Sequence, residues 1–160
     1  MFARSHRDLH GLRASVERTR KLSDRVIGLG PFSLGLDGVL AWIPGLGFAY
    51  SVAAGGFLVL QAVRARARPA TVLKMLGLLA ADSLTDVIPI PLAPAVADMV
   101  FTGHKWAADA LLKHLDETLY YEGTKAEAEA DPAFRQHLLQ LAEQRRAGSP
   151  PLHKRVIYLG

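Results

Sequence analysis

Four carboxylates stand inside the most apolar part of this chain: Asp37, Asp82, Asp86 and Asp98. Ionisable groups are costly in apolar surroundings and mark functional candidates there. Asp82 and Asp86 are four apart, so on a helix they face the same way. Two close carboxylates repel, and one tends to hold a proton or to share a cation. These four aspartates are therefore the candidates for an ion or proton site. The competing reading is that each one caps or braces the chain beside a proline break, where water reaches it.

Other chemistry is thinly represented. The chain has no cysteine, which excludes a disulfide scaffold, a thiolate zinc site and a cysteine nucleophile. His6 and His10 have the i, i+4 spacing of a metal pair, but the sequence places no further ligand beside them and no metal is assigned. His104, His114, His137 and His153 share no spacing that marks a site. Ser51 and Ser83 lack a nucleophile elbow. Gly45-Leu46-Gly47 follows a proline break and lacks the strand and third glycine of a phosphate-binding loop. No enzyme and no cofactor are expected.

The elements that must carry these residues are organised around Val39–Val63, a stretch without a charged side chain. Asp37 precedes it, and Arg64, Arg66 and Arg68 follow. A helix of about 20 residues crosses a hydrocarbon core of roughly 30 Å. Pro44, Gly45 and Gly47 interrupt this one, because proline removes a backbone donor and glycine adds freedom. A second break holds Pro89, Pro91 and Pro94. Asp37 lies seven residues before Pro44 and Asp82 seven before Pro89, each proline follows isoleucine, and the offset is 45 residues. Repetition on that scale implies two copies of one unit, helix, Ile-Pro break, helix.

Between the breaks, Phe48–Arg66 is apolar on every side and carries Ala49, Ser51, Ala53 and Gly55 at spacings that let helices approach closely, as inside membranes. Arg68-Pro69 closes that helix, Thr71 opens another to Asp86, and a third is expected from Ala95 to about Tyr121. Basic residues flank both ends of each unit, which suits hairpins entering and leaving on the cytoplasmic side. Trp42 and Trp106, with Arg64, Arg66 and Arg68, are read as membrane anchors, although tryptophan suits a core equally.

The ends are polar. Residues 1–36 carry seven Arg or Lys against three Asp or Glu, so the net +4 belongs to an N-terminal arm. Within it Leu9, Leu12, Val16, Leu22 and Val26 form a thin helical stripe. Such an arm can lie on anionic lipid. Without interleaved aromatics or a binding motif, nucleic acid is not expected. Residues 122–130 read as a charged linker, Asp131-Pro132 starts an amphipathic helix over 131–146, and the last nine residues read as a tail.

Asp37-x6-Pro44-Gly-Leu-Gly47, Met75-x6-Asp82, Ile88-Pro89 and Asp98 together resemble the pattern of a bacterial family, "domain of unknown function 4112". The resemblance covers approximately residues 20–115. In that family Gly-Asp follows both Ile-Pro breaks; here Gly47-Phe48 and Pro94-Ala95 stand instead, and Leu78, His104 and Ala107 replace its usual asparagines. The resemblance implies a compact helical, membrane-associated domain and no settled activity.

The expectation is thus an all-α, membrane-embedded pair of hairpins (33–68 and 71–121) forming a repeat domain over 26–121, between a basic arm at 1–25 and a C-terminal region at 122–160. Its expected role is a non-enzymatic structural or interaction subunit of the bacterial inner membrane, with both termini cytoplasmic. Its partners would be the lipid bilayer and another protein or a second copy. The alternatives are a small ion- or proton-conducting component using Asp82, Asp86 and Asp98, and a soluble helical interaction bundle.

Overall fold

The computed structural model describes residues 2–27, 46–87, 93–149 and 152–160. Within them, six helices and one small sheet follow in order: α1 (His6–Ile27), α2 (Leu46–Arg64), α3 (Pro69–Val87), α4 (Ala93–Asp116), β1 (Thr118–Tyr121), α5 (Lys125–Ala130), α6 (Pro132–Arg146) and β2 (Arg155–Tyr158).

Helix α4 is the centre, packed against both α3 and α1. The apolar stripe of α1 explains its side of the contact, since Leu9, Leu12 and Val16 are all buried. Two basic residues of α1 pair with acids of α4, Arg13 with Asp116 at 2.6 Å and Arg20 with Asp109 at 2.7 Å. The basic N-terminal segment is therefore docked on the core. Leu58 of α2, Met75 of α3, Leu111 of α4 and Val16 of α1 are the largest fully buried side chains and belong to one core cluster. Gly55 lets these helices close up: a Cβ there would sit 3.3 Å from Leu79 of α3 and 3.7 Å from Nε2 of His104 on α4.

The turn between α2 and α3 is tight. Arg66 takes a left-handed φ of 54°, and the Ala67 N–H donates back to the Ala62 carbonyl at 2.9 Å. That conformation is uncommon for a side chain other than glycine or asparagine. Here the guanidinium donates to the carbonyls of Tyr158 and Leu159 and lies over the Phe2 ring, so both ends of the chain hold it.

The expectation of membrane-embedded hairpins is not supported by the described helices. Among the described residues no helix is long and apolar enough to cross a membrane. Residues 39–45 of the charge-free stretch lie outside the described residues, and α2 carries the rest of it from Leu46. Its inner face holds Gln61, buried and bonded through Nε2 to Ser15 Oγ of α1 at 3.2 Å, together with Leu58 and Ala62. Lys74 interrupts α3, and Lys105 and Asp109 interrupt α4.

The all-α expectation is corrected as well. The helix expected to reach Tyr121 ends at Asp116, and Thr118-Leu-Tyr-Tyr121 becomes a strand, as β-branched and aromatic residues favour. The presumed tail supplies its partner: Arg155–Tyr158 pairs in parallel, Thr118 opposite Arg155. The Lys154 N–H donates to the Glu117 carbonyl at 2.8 Å and the Leu159 N–H to that of Tyr121 at 2.9 Å. Parallel strands require a crossover, which α5 and α6 provide. The charged linker thus contains α5, started by a capping box in which Thr124 and Glu127 satisfy each other's backbone N–H. Asp131 caps α6 as its sequence indicates, accepting from the N–H groups of Ala133 at 2.9 Å and Phe134 at 3.3 Å.

Candidate functional site

A cavity of about 310 Å³ opens where the start of α3, the end of α4 and the C-terminal strand meet. Its charged lining consists of Arg68, Lys74, Lys113, Lys154 and Arg155 against a single carboxylate, Glu117. Thr71 and His114 complete its polar wall. Glu117 is already engaged, its Oε1 accepting from Lys154 Nζ at 2.6 Å, and that bond holds its carboxyl below the usual carboxylate range. Among the described residues, Arg68, Lys74, Lys113 and Arg155 have no carboxylate within ion-pairing distance. The α3 N-terminus, the positive end of a 19-residue helix, lies at the same place.

Each cation is positioned by an identifiable element. Arg68 precedes the proline that starts α3, and Lys74 lies one turn further on. Lys113 and His114 sit on the last turn of α4. Arg155 opens β2, where Nε donates to Thr118 Oγ1 at 2.6 Å and Nη2 contacts His114 Nδ1 at 2.8 Å. Thr118 in turn donates to the His114 carbonyl at 2.6 Å. Burial, and then the nearby Arg68, lower the Arg155 pKa, as expected for a cation held short of a counter-ion.

This network sets the state of His114. An arginine only donates, so Nδ1 is the accepting nitrogen, and Thr71 Oγ1 lies 3.2 Å from it as well. The ring proton then sits on Nε2, a buried donor without a partner. Burial first, then the charges of Arg155 and Arg68, push the pKa of His114 down to about 4, so the ring is neutral near pH 7. The pocket thus carries surplus positive charge, which calls for an anionic, acceptor-rich group.

The residues singled out by sequence lie elsewhere. Asp37, Trp42, Pro44, Gly45, Pro89 and Pro91 fall outside the described residues. Gly47 is in the first turn of α2 and Pro94 in that of α4. Asp82 and Asp86 lie one turn apart on α3 and Asp98 on α4, with their side chains outside the description. Trp106 is half exposed on α4. Arg64 bonds Gln61 at 3.3 Å, Arg66 holds the C-terminus, and only Arg68 of that trio lines the pocket. His6, His10 and His153 share a separate cavity of about 320 Å³, a meeting that their spacing does not announce. No group of three or more His, Cys, Asp or Glu is placed to hold a metal among the described residues.

Residues 12–115 match the model of one protein family, described as "Domain of unknown function (DUF4112)". The chain belongs to that family. The match takes in about two-thirds of this DUF4112 protein, from the first turns of α1 to the end of α4. No curated protein and no solved structure matches it. Arg68, Lys74, Lys113 and His114 lie within the DUF4112 region, whereas Glu117, Lys154 and Arg155 lie beyond it.

Proposed function

We propose that this protein is a non-enzymatic interaction module that recognises an anionic group in the pocket between α3, α4 and β2. One observation carries the reading: five cations surround a cavity of about 310 Å³ whose only carboxylate is committed to Lys154. The surplus charge is costly unless something anionic shares the space. Recognition is favoured over catalysis because His114 is not poised as a base. Its accepting nitrogen is occupied by Arg155 and Thr71, and its pKa of about 4 leaves little affinity for a proton near pH 7. The groups facing the cavity are chiefly donors, suited to holding an oxyanion.

Isothermal titration of the full chain with pyrophosphate tests the reading. Binding should weaken steeply with added salt, and Lys113→Gln should reduce affinity by about tenfold or more, the loss of one charge-assisted contact. Absence of binding at low salt, or equal binding by the variant, would refute the proposal.

A further inference from the structure

Beside the cationic pocket lies a second cavity of about 320 Å³ that shares Lys74, Ala110 and Lys113 with it and is bordered by Leu78, Trp106 and Asp109, the last paired with Arg20. The outer surface here is unusually apolar. Leu73 and Leu76 of α3 are 67% and 45% exposed, and Trp106 of α4 is 49% exposed. With 3.6 residues per turn, Leu73 falls between Leu76 and Lys74 around α3, so the apolar strip runs directly into the cations. On α2, Val52, Phe57, Leu60 and Val63 are exposed too. Exposed apolar side chains beside like charges suit a partner that is apolar in its body and anionic at its head.

We infer that the partner is the surface of an anionic phospholipid bilayer. A headgroup phosphate enters the pocket between Arg68, Lys74, Lys113 and Arg155, while Leu73, Leu76 and Trp106 dip into the interface. The protein lies on the membrane and does not cross it. Charge complementarity carries the choice, because an apolar protein partner would leave the cations beside the patch unanswered. Tryptophan and long basic side chains are also the residues that settle at the headgroup level. The inference rests on the anion-recognition reading above.

Vesicle flotation of the full chain tests it, comparing phosphatidylcholine alone with phosphatidylcholine containing phosphatidylglycerol. Binding is expected only to the anionic vesicles and should fall with salt. Lys74→Gln with Lys113→Gln should weaken it about thirtyfold, since each basic residue at an anionic surface contributes about a factor of five. Leu73→Gln with Trp106→Gln should weaken it about tenfold or more while leaving pyrophosphate binding unchanged. All four side chains are exposed, so the variants should keep the wild-type urea midpoint. Pyrophosphate binding without vesicle binding would overturn the lipid inference and leave anion recognition standing. Failure of both would end both readings. Self-association abolished by Leu73→Gln, with no flotation, would assign the patch to a second copy and also overturn the inference.

Discussion

Thr118→Val isolates the contact on which the pocket depends. Thr118 is 4% exposed, and its hydroxyl both accepts from Arg155 Nε at 2.6 Å and donates to the His114 carbonyl at 2.6 Å. Valine keeps the shape and is at least as good a strand residue, so backbone preference does not contribute a loss. Removing the neutral bond costs about 1 kcal/mol, and removing the charge-assisted one costs about 1.5–3 kcal/mol. Arg155 is half buried and regains part of that from water, which leaves a net loss of about 2–3 kcal/mol. For a chain of this size that lowers Tm by roughly 5–10 °C. Urea unfolding should show a lower midpoint with an unchanged slope. Thr118→Ser keeps the hydroxyl and should lose no more than about 1 kcal/mol. A loss under about 0.5 kcal/mol for Thr118→Val would refute the claim that this network fixes Arg155.

Acid should weaken the fold through His114. Its pKa is about 4 when folded against 6.5 otherwise, so the unfolded chain binds more protons between those values. Its contribution is complete above pH 6.5 and is lost as pH falls toward 4, on the order of 1–2 kcal/mol beside a water-open pocket. His114→Gln should lose less stability than wild type over that range when urea midpoints are compared. Leu111→Ala, at a fully buried position where α4 meets the core, should cost about 2–5 kcal/mol in the same assay. Leu139→Ala, at a position 64% exposed, should stay within about 0.5 kcal/mol. Asp131→Ala removes the α6 cap and should cost about 1 kcal/mol, with Asp131→Asn retaining most of it.

What the sequence makes legible is local. The stripe of Leu9, Leu12 and Val16 indicates the buried side of α1, Asp131-Pro132 marks the start of α6, and Pro69 marks a helix boundary. Each depends on residues within a turn or two of one another. The β1–β2 pairing joins residues 37 positions apart through backbone groups that every residue carries, so no side-chain pattern announces it. The pocket has the same origin. Arg68, His114 and Arg155 have no common spacing, and His114 gains its role only when β2 places a guanidinium beside it. Only the surplus of basic residues hints at an anionic partner. The membrane-embedded reading of the fold went too far because an all-round apolar helix fits a buried environment as well as a lipid one. In α2, Leu58 and Ala62 are core residues, while Phe57, Leu60 and Val63 lie outside.

The central claim is that the cations at the α3–α4–β2 junction form one anion site. Nuclear magnetic resonance titration of the isotopically labelled full chain with pyrophosphate tests this most directly. Saturable shifts are expected, concentrated at Thr71, Lys113, His114 and Arg155. Shifts confined to the exposed basic residues of α1 and α6, or none at low salt, would contradict it.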